Sequence, residues 1–266
     1  MLSRPLAYQG RLALVTGASS GIGEAFAREL AARGADLVVC GRDSARLNAV
    51  AAEIKAAYDV RVTAHPLDLA ERGAAERLHS LVLAAGVTPS VLVNNAGLGV
   101  LGGFRTAPLA VQLEMIRVNV EALVALTGLF VPAMAARREG AVINVASAAA
   151  FQPLPNFAVY AASKAFVVSF SEALWQECRG SGLRVLAVCP GPVSDTRFGR
   201  GATGSAVRFR HLRDTPRERV VADALGALDR GERVVVPGLT NRLVAFATGL
   251  APRRLQLLVA EWLFRA

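Results

Sequence analysis

Residues 12–33 read LALVTGASSGIGEAFARELAAR, and the architecture follows from this stretch. Residues 12–16 form a short apolar run of strand type. A glycine-rich turn, TGASSGIG, comes next, and 22–33 have helical length. In a strand–turn–helix unit, Gly17 permits a tight turn, Gly21 lets backbone N–H groups approach an anion, and Gly23 allows helix and strand to pack closely. The N-terminus of the helix adds partial positive charge, and Ser19, Ser20 and Ile22 share the turn. Alone, such a turn is weak evidence, because glycine-rich turns also serve purely structural ends.

The same alternation continues along the chain. Residues 36–40, 61–65, 90–94, 141–146, 184–188 and 234–236 read as further strands, most of them continuous apolar runs of the kind buried on both sheet faces. Between them, 44–58, 71–85, 109–136, 157–180 and 218–230 have helical length. This pattern predicts an α/β fold with a seven-stranded, mainly parallel, doubly wound sheet in a single domain over 1–266. Residues 193–217 break the alternation and read as a substrate lid, and 239–266 as a helical tail interrupted at Pro252.

Composition narrows the class. The 266 residues are 53% hydrophobic and 19% charged, which excludes a disordered chain. Three separated cysteines suit neither a disulfide scaffold nor a zinc ribbon, and no metal site is expected. The longest stretch without a charged side chain, 78–104, holds Pro89, Asn94, Asn95 and five glycines, so no membrane span is expected. The chain reads as soluble and cytoplasmic. A net charge of +9 comes from scattered arginines with no aromatic interleaving, and nucleic acid is not an expected partner.

Several residues fall at strand ends, where an open parallel sheet binds ligands. Gly41 and Arg42 follow strand two, where an NAD-preferring site carries an acidic residue. A guanidinium there suits a 2′-phosphate, so NADP(H) is the expected cofactor, against the alternative of a solvated loop arginine. Asp68 reads equally as an acceptor for an adenine amino group and as a helix N-cap. Asn95, Ala96 and Gly97 form a turn that lets a ribose approach. Tyr160 and Lys164, four residues apart, share one helix face, and Lys164 is one of only two lysines. An ammonium near a phenol, helped by an oxidised nicotinamide, favours the phenolate, and a depressed Tyr160 pKa is expected.

Taken together, TGASSGIG, NNAG, Asn119 in VNV, Ser147, YAASK and a Pro-Gly turn after strand six resemble the short-chain dehydrogenase/reductase family, in its shorter single-domain branch, over residues 10–236. The resemblance implies a Rossmann-type fold and hydride transfer between NADP(H) and a ketone, aldehyde or alcohol. It casts Tyr160 as general acid/base, Ser147 as the partner of the substrate oxygen, Lys164 as the ribose ligand and Asn119 as the holder of a relay water. Pro190, Gly191, Val193 and Thr196 would complete the cofactor site, with Ser194 or Asp195 as substitutes for Thr196. It also implies a homodimer or homotetramer through the helices near 109–136 and 157–180.

Leu98, Val100, Phe104, Phe151, Leu154 and Phe157 form an apolar set near the expected cleft, which points to a hydrophobic carbonyl substrate and reads equally as core packing. Arginines 197, 200, 208, 210, 213 and 217 read as a solvated lid or as a steering patch for an anionic carrier. The tail reads as closing the core or a subunit interface in preference to lying on a membrane. Two other readings stand beside the enzyme: a non-catalytic NADP(H)-binding redox sensor, and a membrane-associated acyl or lipid ketoreductase.

Overall fold

In the computed structural model, residues 6–84, 86–193 and 214–263 are described. Seven strands form one parallel sheet in the order β3-β2-β1-β4-β5-β6-β7. They are β1 (Leu12–Thr16), β2 (Asp36–Gly41), β3 (Val62–Pro66), β4 (Val91–Asn94), β5 (Gly140–Val145), β6 (Leu183–Val188) and β7 (Val234–Val235). Strand order reverses between β1 and β4, which opens a crevice at their carboxyl ends.

The period-two alternation of each strand supplies both layers of the core. Val15, Val39, Val93 and Ile143 face one side, where they meet Phe26 and Leu30 of α1 (Gly21–Ala32), Leu47 and Ile54 of α2 (Ser44–Ala57), and Leu225 of α7 (Arg217–Asp229). Leu14, Leu92 and Val142 face the other side. There they meet Leu78 of α3 (Ala74–Leu83) and Leu126, Phe130 and Met134 of α5 (Ala122–Ala136). Helix α6 (Ala158–Glu177) lies on this second side through Leu174 and Trp175.

Local chemistry sets the boundaries. Asp43 caps α2 by accepting from the Arg46 N–H at 3.1 Å. Helix α3 starts three residues later than expected, because the Asp68 side chain accepts from Ala70 N–H and the chain turns through Gly73 at φ 70°. The continuous helix expected over 109–136 is instead α4 (Leu109–Ile116), a π-helical turn (Arg117–Glu121) and α5. The run Leu109–Ala136 is long and apolar enough by length and composition alone to cross a membrane. Here it serves as a core helix, with Leu126, Phe130 and Met134 enclosed. The tail folds as α8 (Leu239–Leu250) and α9 (Arg253–Leu263), with Pro252 between them as expected.

Candidate active site

The glycine-rich turn lies between β1 and α1. Gly17 and Gly21 have φ of 66° and 61°, a region that L side chains avoid. A Cβ on Gly23 would lie 2.3 Å from the Gly17 carbonyl oxygen and 2.4 Å from Asn95 Nδ2, so only glycine lets α1 close on the turn. Ser20 is the N-cap of α1, but its side chain makes no capping bond. The first N–H groups of α1 are therefore not capped from within the helix.

Thr16 holds the turn to the end of β4. Its Oγ1 accepts from the N–H groups of Asn95 and Ala96, both at 3.0 Å, and donates to Val93 O. Asn95 Nδ2 donates back to the carbonyls of Thr16 and Gly17 at 2.9 and 3.2 Å. Asn95 and Ala96 thus join two strand ends across the crevice. Thr16 was not among the expected site residues; a threonine directly before Gly17 was its only signal.

On the β2 side, Ala18 N–H donates to Cys40 O, and Gly41 leaves room for Ser19, whose Oγ would be 3.3 Å from a Cβ added there. Arg42 is half-exposed at the end of β2 and is paired. Its Nη1 is 3.0 Å from Glu114 of α4 and 3.8 Å from Asp68. Asp68 serves the turn through Oδ1 and Arg42 through Oδ2, but Gly73 is the N-cap of α3, which corrects the N-cap reading of Asp68 to a local turn at Ala70. Glu114 carries no local sequence signal, because α4 delivers it from across the crevice.

Ser147 follows β5 and opens a 3₁₀ turn, Ala148–Phe151, by accepting from Ala149 N–H at 3.1 Å. Its side chain also hydrogen-bonds Tyr160 of α6. Tyr160 and Lys164 are 5% and 4% exposed, so both reacting candidates are withdrawn from bulk water. Lys164 Nζ donates to Val145 O at 2.8 Å and stands 5.9 Å from the centre of the Tyr160 ring. Burial pushes the Lys164 ammonium down to about 8. Burial also pushes the Tyr160 phenol up, and the Ser147 hydrogen bond opposes this only in part. In the chain alone, the ammonium is aimed at a backbone carbonyl, and desolvation of the phenolate dominates.

Asn119 lies in the π-helical turn. Its carboxamide brackets Leu98, accepting from the N–H at 2.8 Å and donating to the C=O at 2.9 Å, and also donates to Ser163 Oγ at 3.0 Å. Gly97 sits beside it: a Cβ there would be 3.3 Å from Lys164 Nζ and 3.4 Å from Asn119 Oδ1. Cys189, enclosed at the end of β6, interacts with both Tyr160 and Lys164, and burial pushes its thiol up to about 12.

The turn after β6 is held by an unforeseen residue, Asn241 of α8. It donates to Pro237 O at 3.0 Å and Thr215 Oγ1 at 3.3 Å, and a Cβ on Gly191 would fall 2.5 Å from its amide. Pro190 O accepts from Ala148 N–H, Pro192 O from Thr215 N–H, and Val193 bridges to Thr215. Ser194, Asp195 and Thr196 lie outside the described residues, as do arginines 197, 200, 208, 210 and 213. Arg217, the one described arginine of that set, pairs with Glu24 and Glu218, each at 2.9 Å, and clamps α7 to α1.

Four of the six expected cleft residues, Leu98, Val100, Leu154 and Phe157, share one apolar cluster with Tyr160, whose ring stacks on Phe157 at 4.3 Å. Phe151 packs elsewhere, with Ala146 and Val167. Phe104 is exposed at the rim of a shallow cavity lined by Val100, Met115 and Phe157.

The chain, whose crevice has a glycine turn at one end and half-buried Ser147 beside buried Tyr160 and Lys164 at the other, matches the family model described as short chain dehydrogenase over residues 11–203. The chain belongs to the short-chain dehydrogenase/reductase family of oxidoreductases. Among curated relatives, it is 34% identical to a very-long-chain 3-oxoacyl-CoA reductase of Phaeosphaeria nodorum over 68% of this chain and 54% of that protein. It is also 34% identical to a short chain dehydrogenase of Pseudocercospora fijiensis, over 92% and 82% of the two lengths. The chain thus spans about half the length of the first relative and most of the second. Among solved structures, a short-chain dehydrogenase from Sphingobium yanoikuyae in complex with NADPH superposes with a TM-score of 0.79 at 32% identity, covering 89% of this chain and 92% of that one.

Proposed function

We propose that this chain is an NADP(H)-dependent reductase of hydrophobic ketones or aldehydes, or the corresponding alcohol dehydrogenase. The observation that carries the reading is the enclosed group at the crevice: Tyr160 hydrogen-bonded to Ser147, with Lys164 beside it.

The residues present fit the cofactor. The open N-terminus of α1 and the close backbone at Gly17, Gly21 and Gly23 suit a pyrophosphate. Arg42 offers a guanidinium where a 2′-phosphate would lie, and the NADPH-bound relative supports the same choice. Gly97, with no side chain next to Lys164 Nζ, leaves space for a ribose at the ammonium. When bound, NADPH supplies the hydride.

The protein supplies the proton and the alignment. Ser147 and Tyr160 together present two hydroxyls to one carbonyl oxygen, and a phenol held neutral by burial is in the correct state to donate. Lys164 orients the ribose and stabilises the phenolate left after proton transfer. Asn119 Oδ1 accepts one bond from Leu98 N–H and keeps a second lone pair for a relay water beside Lys164. The apolar wall of Leu98, Val100, Leu154 and Phe157 favours a bulky hydrocarbon substrate, and the 3-oxoacyl-CoA reductase relative places 3-oxoacyl thioesters on the panel to be tested. Exposed Leu113, Ile116, Val124 and Phe166 on α4, α5 and α6 support a homo-oligomer assembled through these helices.

The test is NADPH consumption over a panel of bulky ketones, aldehydes and 3-oxoacyl thioesters, with NADH in parallel. Tyr160→Phe should keep NADPH binding and lose about 100-fold or more in turnover. Near-normal turnover in that variant would remove Tyr160 from the chemistry. Tight NADPH binding by the wild type with no turnover on any carbonyl would favour the redox sensor.

A further inference from the structure

Helices α8 and α9 bury the wrong residues for elements that only close a core. Helix α8 encloses Asn241, half-buries Ala245 and Thr248, and exposes Leu239 (71%), Leu243, Val244 and Phe246 (68%). Helix α9 encloses Gln256 and Ala260 and exposes Leu255, Leu257 and Leu258 (65%). Among the described side chains of the two helices, small and polar ones point inward and large apolar ones point out. Leu239, Leu243 and Phe246 recur at helical spacing, as do Leu255 and Leu258, so each helix carries a continuous outer stripe. Gln256 Nε2 donates to the carbonyls of Thr248 and Ala251 at 2.8 and 2.9 Å, fixing the corner that joins the two stripes. Exposed apolar surface of this extent marks a contact with something.

Charge selects the occupant. The two helices, residues 239–263, contain three arginines, one glutamate (Glu261, near the end of α9) and no Asp or Lys. Arg233 is used internally on Glu172, whereas Arg242, Arg253 and Arg254 are exposed on the same two helices. Two copies meeting through this face would set arginines against arginines, on chains that each carry +9. An anionic bilayer surface accepts both parts: phosphate oxygens bind the guanidinium groups while Leu and Phe side chains enter the acyl boundary.

We propose that the outer face of α8–α9 seats this protein on an anionic lipid bilayer. The inner face gives the arrangement a purpose. Ala260 of α9 packs in the same apolar cluster as Tyr160, Leu154 and Phe157, so the docked helix backs directly onto the pocket of the catalytic tyrosine. The docking argument stands on α8 and α9 alone and is independent of the proposed reaction.

The test is co-sedimentation of the full-length chain with vesicles of mixed phosphatidylglycerol and phosphatidylcholine, and with phosphatidylcholine alone. Binding is expected only to the anionic vesicles, and it should weaken steeply with salt. The double variants Leu243→Asp/Phe246→Asp and Arg253→Gln/Arg254→Gln should each lose about tenfold or more in vesicle affinity. Their thermal melts and NADPH binding should stay at wild-type values, which separates lost docking from lost folding. Equal binding to neutral and anionic vesicles would overturn the proposal. So would absence of vesicle binding, whether or not light scattering finds a self-association that Leu243→Asp/Phe246→Asp abolishes; such self-association would make the face a subunit contact.

Discussion

At the scale of single residues, the site is governed by competition for charge. Arg42 is the guanidinium assigned to the 2′-phosphate, yet its Nη1 is paired with Glu114 at 3.0 Å and lies near Asp68. A half-exposed pair of this kind contributes at most about 1 kcal/mol. Replacing Glu114 with Gln should therefore tighten NADPH by no more than about fivefold and leave NADH unchanged. Arg42→Asp acts in the opposite sense, weakening NADPH far more than NADH. Parallel dissociation constants for the two cofactors test both variants together. Equal effects on NADPH and NADH would detach Arg42 from the 2′-phosphate. The pairing itself was beyond the reach of the sequence, because Glu114 is 72 positions away and its helix gives no hint of facing β2.

At the scale of elements, the turn after β6 depends on a helix that follows the next strand. Asn241 holds Pro237, Thr215 and, by contact, Gly191. Asn241→Ala should raise KM for NADPH several-fold while changing kcat much less, and should lower stability by about 1–2 kcal/mol, the scale of a lost buried hydrogen bond. Gly191→Ala pushes on the same amide and should reproduce the split between KM and kcat. A loss of stability with both constants intact would limit Asn241 to a structural role.

The strands were legible because each is a short apolar run bounded by turn residues, and the proposed catalytic pair because Tyr160 and Lys164 sit one helical turn apart. Asn241 was not legible, since no local period distinguishes an asparagine that meets a distant turn. The π-helical turn was hidden for a related reason. Residues 117–121 are periodic enough to continue a helix, and the extra residue shows only in the bonds that Asn119 makes to Leu98 and Ser163.

At the scale of the whole molecule, buried titratable groups make stability depend on alkaline pH in a definite shape. Burial raises the Cys40 thiol from 9.0 to about 12, with Asp68 adding to it, and raises Cys189 to a similar value. Between those limits the native state holds protons that the unfolded chain has lost, so stability falls as pH rises, by about 1.4 kcal/mol per pH unit for each group. Lys164 acts with the opposite sign. Its native ammonium titrates near 8 and its unfolded one near 10.5, so across that window the unfolded chain holds more protons and stability rises. From about pH 9 to 10.5 the lysine therefore offsets one of the two thiols. Above that range its contribution ends, while Tyr8, raised to about 12, and Tyr160 join the destabilising side. Urea unfolding across this range should show a shallow decline up to about pH 10 and a steep one beyond it. Cys40→Ala should flatten the whole decline whatever it does to absolute stability, and Lys164→Met should steepen it between about pH 9 and 10.5 only. A flat profile for the wild type across the same range would mean that Lys164, Cys40 and Cys189 reach water more freely than their enclosure in the fold allows.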